Sequence, residues 1–217
     1  MKNREKIIAR FNEVMREHYG PLLAAGRQGY EVVDWASRRS QLARFAVLAD
    51  NVQLEGASLL DAGCGVGALW AYLKDRNIDC DYLGVDLMAD MIDRARRLHP
   101  QARFECGDIL TGDPLAGRQF DVVFCSGMFN LAFGQNMEFL PLAVERLLAL
   151  ARGTVVLNLL HHRVRPPEKR YFHYDPAEVI SALAPFGCPC RVLDDYLPND
   201  FTVICTRAAR SKPPVGN

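Results

Sequence analysis

The chain has no excess of either charge: 26 Lys and Arg stand against 26 Asp and Glu in 217 residues. General binders of nucleic acid or of acidic membrane surfaces carry a basic surplus, so balance argues against both. Long apolar runs are also missing. No window supplies the about 20 consecutive apolar residues a membrane helix needs, and the opening MKNREKIIARF is polar and helical rather than a signal region. The seven cysteines are odd in number and lack C-x-x-C spacing. Reduced thiols in a cytoplasmic protein are the simple expectation, with no metal site. Cys188 and Cys190 flank Pro189 and read as a surface turn. A net charge near zero offers little colloidal repulsion and leaves monomer and homodimer both open.

What is present is helix followed by alternation. Lys2 to Tyr19 sets Ile7, Ile8, Phe11, Val14 and Met15 at helical spacing, with Gly20-Pro21 as the expected stop. A second helical pattern covers Ser40 to Asp50. From Ser58 onward, short apolar runs alternate with amphipathic stretches. Ser58–Asp61, Tyr82–Asp86, Ala102–Cys106, Phe120–Ser126 and Thr154–Leu159 read as buried strands. Ala68–Arg76, Ala89–Leu98 and Glu138–Ala151 read as helices, the last closed by Gly153. Asp175-Pro176 opens another helix with a cap and a proline in its first turn. Arg191–Tyr196 and Phe201–Thr206 read as an antiparallel hairpin. The pattern predicts a doubly wound α/β fold: a mostly parallel seven-stranded sheet with a C-terminal antiparallel hairpin. It divides into an N-terminal helical cap (1–50), a core (51–207) and a flexible tail (208–217).

LLDAGCGVGALW, Leu59 to Trp70, places three glycines between a strand and a helix. Such a loop lets backbone N–H groups approach a ligand at a helix N-terminus. Gly63, Gly65 and Ala68 fit G-x-G-x-x-A, which keeps a dinucleotide in play. Asp61, two residues before Gly63, puts a carboxylate where a pyrophosphate would be repelled, and an ammonium or sulfonium would be welcome. Asp86 and Asp108 lie at the ends of the next two predicted strands. Ligands of open α/β sheets bind outside the carboxyl ends of strands, so the three acids converge on one crevice. Each acid singly is also a plausible cap or turn residue.

LLDAGCGVG, then YLGVD, then CGDI, then FDVVFCSG resembles the class I S-adenosylmethionine (SAM)-dependent methyltransferases in order and spacing. The likeness covers about Ser58 to Thr206 and implies their Rossmann-like fold and a SAM cofactor. It implies that the Gly63–Cys64–Gly65 backbone holds the methionine part, with Asp61 near its ammonium. Asp86 would bind the ribose hydroxyls, Leu87 and Met88 the adenine face, Asp108 and Ile109 the adenine edge. Ser126–Gly127 would offer backbone near the methionine amine. WASRRSQLARF ahead of the core and SGMFN after the fourth strand resemble a set of small bacterial methyltransferases of unassigned substrate. Arg44 is either a partner for the ligand carboxylate or a surface helix charge.

The implied reaction is methyl transfer to a small molecule by in-line displacement, which needs alignment and exclusion of water more than a strong base. Phe129 and Asn130, after the Ser126–Gly127 turn, are substrate-side candidates, as are the lid residues Tyr19 and Trp35. The stretch HHRVRPPEKRYFHY, broken by prolines, reads as a lid or connector. His161 is its candidate base, and Tyr171 and Tyr174 are candidate pocket residues; each is equally a packing or solvated residue. Cys64, Cys106 and Cys125 read as buried fillers. Two alternatives keep SAM: a cyclase that converts SAM to azetidine-2-carboxylate and methylthioadenosine, and a non-catalytic SAM-binding regulator. Asp61 and the hairpin oppose a nicotinamide oxidoreductase.

Overall fold

The computed structural model describes residues 2–27, 29–111, 115, 117–164 and 169–207. The expected tail at 208–217 lies outside these. Seven strands form one sheet: β1 (Ser58–Ala62), β2 (Asp81–Asp86), β3 (Arg103–Cys106), β4 (Phe120–Ser126), β5 (Ala151–Leu160), β6 (Cys190–Leu193) and β7 (Asp200–Thr206). Their order is β3-β2-β1-β4-β5-β7-β6. The first five run parallel, and β7 pairs antiparallel with both β5 and β6. Strand order therefore reverses between β1 and β4, and a crevice opens there beyond the strand ends.

Period-two alternation divides the core between the two faces of the sheet. Leu60, Val123, Leu157 and Val203 face one side, with α1 (Lys2–Ala24), α5 (Asn136–Leu150) and α6 (Pro176–Leu183). Leu59, Phe124, Val156 and Ile204 face the other, with α2 (Arg38–Asn51), α3 (Ala68–Asp75) and α4 (Ala89–Leu98). The N-terminal helix is thus part of the packing: Phe11 stacks on Phe139 at 4.1 Å between ring centroids.

Four boundaries differ from expectation, each for a local reason. Helix α1 runs through Gly20-Pro21 to Ala24. Pro21 falls in the last turn of the helix, which ends instead near Gly26, where the chain takes the left-handed conformation at φ 69°. Helix α2 begins earlier than Ser40 because Ser37 caps it, its Oγ accepting from Ser40 N–H at 3.1 Å. Gly153 closes no helix, since β5 starts directly at Ala151. A side chain at Gly153 would lie 2.7 Å from the Asp121 carbonyl, so glycine is what lets β5 approach β4. Finally, β6 spans only Cys190–Leu193, and Tyr196 leaves the sheet edge to bond Asn158 Nδ2 (2.6 Å) and Thr202 Oγ1 (2.9 Å).

Phe139 is fully buried, with Phe11, Phe129 and Phe133 around its ring. Phe139→Ala is expected to cost about 3–5 kcal/mol of unfolding free energy, measured by urea titration; a cost under about 1 kcal/mol would show that α1 does not pack here as described.

Candidate functional site

Strand β1 carries a carboxylate one residue before its end, β2 ends in one, and Asp108 follows β3 by two residues. The loops that continue these strands form one cleft of about 1010 Å³, including the part open to solvent. Asp61, Gly63, Cys64, Gly65, Asp86, Leu87 and Met88 line it, together with Asp108, Ile109, Ser126 and Gly127. Tyr19 and Trp35 complete the wall from the N-terminal side. The glycine loop is left-handed at Gly63, Gly65 and Gly67 (φ 78°, 54° and 79°). These conformations are cheap only without a Cβ, and they fold the loop back so that its N–H groups face the strand ends.

Asp86 organises the middle of the cleft. Its Oδ2 accepts from the Gly65 N–H and its Oδ1 from the Met88 N–H, both at 2.9 Å. Burial raises its pKa, and these two N–H groups oppose the rise. Each oxygen keeps a second lone pair, so a pair of adjacent hydroxyls can still donate to it. Asp61, one strand over, is 4% exposed and accepts from the Tyr82 hydroxyl at 2.7 Å. Burial pushes its pKa to about 7, with the Tyr82 bond pulling down and Asp86 pushing up. Asp108 accepts the Leu110 N–H at 2.8 Å and the Asn12 amide at 2.7 Å. The acid after β3 therefore makes both its own turn and a tie to α1.

The rest of the cleft lining comes largely from α1, the segment after it and α2. Phe11, Asn12 and Met15 of α1 face the cleft without a motif to mark them, and Gln41 and Phe45 of α2 face it from within the WASRRSQLARF stretch. The nearest signal is Asn12, a polar residue within the apolar stripe of α1. Gly127 holds φ 87°, and a Cβ on it would sit 3.1 Å from the Trp35 ring. Trp35 thus lies over the turn that follows β4. Asp34, itself at φ 55°, accepts from Tyr171 Oη at 2.5 Å and meets His18 Nε2 at 2.9 Å.

Other candidates fall elsewhere. Arg44 is neither a surface charge nor on the cleft wall. It is buried and forks onto Asp200, with Nε–Oδ1 at 3.0 Å, Nη2–Oδ1 at 2.6 Å and Nη2–Oδ2 at 2.7 Å. Its guanidinium stacks 3.7 Å from the Trp35 ring centre, while Nη1 is buried without a hydrogen-bond partner. Phe129 is core, 1% exposed. Asn130 is buried, its backbone bonded to Gly127 and Phe172 and its Oδ1 without a partner. Tyr174 is fully buried and donates to the Phe129 carbonyl at 3.0 Å, which makes it a packing anchor. His161 lies beside His162, Phe201 and Asp194, off the cleft wall. Burial and the neighbouring Arg163 lower its pKa. Among the suggested filler cysteines, Cys64 and Cys125 are buried but Cys106 is exposed. Among the described residues no helix is long and apolar enough to cross a membrane.

Comparison with known proteins bears on this geometry. The profile of the methyltransferase domain family matches residues 59–150, from β1 to the end of α5. A putative methyltransferase of Mycobacterium tuberculosis is 36% identical over 159 residues, which are 70% of this chain and 94% of that protein. The chain belongs to the class I SAM-dependent methyltransferases. The family's cofactor is SAM. The malonyl-[acyl-carrier protein] O-methyltransferase of Enterobacter lignolyticus is 38% identical over 101 residues, 46% of this chain and 37% of that one. The chain spans less than half the length of the first curated relatives it matches (37% and 45%). The fold is shared with magnesium protoporphyrin IX methyltransferase from Synechocystis, solved with bound S-adenosylhomocysteine. That likeness has a TM-score of 0.65 at 18% identity over 94% of this chain and all of that one.

A carboxyl group with a folded pKa of about 7, against about 3.9 when unfolded, binds more protons in the folded state between these values. Asp61 therefore contributes stability that is full below about pH 4 and lost as pH rises through 7. Asp61→Asn should flatten this part of the pH profile in urea unfolding between pH 5 and pH 8. Parallel profiles for the two proteins would show that Asp61 ionises normally.

Proposed function

We propose that the cleft binds SAM and that the chain catalyses methyl transfer from it to a small-molecule acceptor. The observation that carries this reading is the meeting of Asp61, Asp86 and Asp108 with the glycine loop on one wall. Asp86 takes the ribose hydroxyls on the lone pairs left free by Gly65 and Met88. Leu87 and Met88 lie against the adenine, and Asp108 and Ile109 at its edge. The ammonium of the methionine part sits near Asp61, held there by attraction to a carboxylate that its own charge helps to ionise. The Gly63–Gly65 backbone and the Ser126–Gly127 backbone lie against the rest of the methionine part.

A cleft walled by three carboxylates favours a cofactor carrying a sulfonium and an ammonium. The aromatic faces of Tyr19 and Trp35 suit a sulfonium as well, since ring quadrupoles attract cations. Residues 1–50 act as the cap: α1 and the loop to α2 cover the strand ends, exclude water and hold the acceptor in line with methyl and sulfur. No side chain is assigned as a base, because proton removal can follow methyl transfer for a neutral nucleophile.

Two measurements test this. Isothermal titration should show SAM binding that falls at least about tenfold in Asp86→Ala, equivalent to about 1.4 kcal/mol; unchanged affinity would remove the ribose from Asp86. Incubation with methyl-labelled SAM and candidate small molecules, read by mass spectrometry, should show labelled product together with S-adenosylhomocysteine. Methylthioadenosine formed from SAM alone would replace methyl transfer with cyclisation.

A further inference from the structure

Far from the cleft, at the outer edge of the sheet, two cysteines face one another across β6 and β7. The register pairs Cys190 with Cys205 directly. Antiparallel pairs alternate between hydrogen-bonded positions and closer, non-hydrogen-bonded ones. The Thr206 N–H donates to the Pro189 carbonyl at 3.0 Å, so Pro189 opposite Thr206 is a hydrogen-bonded position. Its neighbour, Cys190 opposite Cys205, is then a close position, with side chains on the same face and backbones about 4.5 Å apart. A disulfide accommodates a Cα separation of about 4.4–6.8 Å. The two sulfurs are already in contact at 2.8 Å.

We propose that Cys190 and Cys205 form a reversible cross-strand disulfide when the protein meets a low-molecular-weight disulfide oxidant. Cys205 is buried, while Cys190 is half-buried on the edge strand, so the oxidant meets Cys190 first. The Cys190 thiolate attacks one sulfur of glutathione disulfide and releases one glutathione thiolate. The Cys205 sulfur then attacks the Cys190 sulfur of the mixed disulfide and releases the second glutathione. The two protons lost by the cysteines go to the two departing thiolates, so two protein thiols are oxidised and one glutathione disulfide is reduced. Burial raises the pKa of the Cys205 thiol.

Cys188 is the competing thiol. It lies two residues before Cys190, turns its Sγ to the Phe186 carbonyl at 3.6 Å, and precedes the strand. It is not opposite Cys205 in the register. The bond would close the segment from 190 to 205, which carries Tyr196 and Asp200, the residue that grips Arg44 beneath Trp35.

The test uses the full chain, incubated with glutathione disulfide, alkylated and digested. The expected result is a drop from seven reactive thiols in the denatured protein to five, with one linked peptide pair joining Cys190 to Cys205, reversed by dithiothreitol. Cys188→Ser should leave that link in place. Cys190→Ser and Cys205→Ser should each lose it, and circular dichroism of both variants separates loss of the bond from loss of the fold. Seven thiols after oxidation, glutathione retained on Cys190 without closure, or a link through Cys188 would each overturn the proposal.

Discussion

The bonds from the Gly65 and Met88 N–H groups to the Asp86 carboxylate, each 2.9 Å, hold the site together. They join the loop after β1 to the turn after β2, adding to the bonds that the Gly63 and Cys64 N–H groups make to the Val85 carbonyl. With Asp86 half-buried between them, the glycine loop cannot swing away without stripping the carboxylate of a hydrogen bond. Placement of the cleft wall follows from this tie, and so does the supply of lone pairs that face outward. A hydrogen-bonded carboxylate with spare acceptor capacity is a prepared site for a diol.

The cap is held by a chain of contacts that starts at the opposite end of the sequence. Asp200, at the start of β7, grips Arg44 in α2, and Arg44 supports the Trp35 ring over Gly127. A buried ion pair gives little net stability but penalises any arrangement that separates its members. Here it fixes the ring that covers the turn after β4. On the other flank, Asn12 ties α1 to Asp108. The C-terminal hairpin and the N-terminal helices therefore meet beside the cleft, although neither carries one of the loop glycines or strand-end acids.

Much of this was legible in the sequence because its signals are local. Apolar runs of four to seven residues gave the strands, and a glycine loop followed by strand-end acids gave the crevice. What stayed hidden depends on contacts distant in sequence. Arg44 has a clear helical setting, but its partner lies 156 residues away, so a surface charge and a ligand partner were equally good readings. Tyr174 and Phe129 looked like pocket aromatics because aromatic identity does not say which way a ring faces; their burial makes them core. Gly20-Pro21 looked like a helix stop because propensity ignores packing, yet Ile7, Ile8, Phe11 and Met15 anchor the helix to the sheet. Phe11 and Met15 reached the cleft wall without any motif to mark them.

The most direct test of the account is a crystal structure of the chain with S-adenosylhomocysteine. The account predicts density in the cleft between β1 and β4, with the ribose hydroxyls donating to Asp86 and the amino group near Asp61. A cofactor bound elsewhere, or a ribose turned away from Asp86, would contradict it.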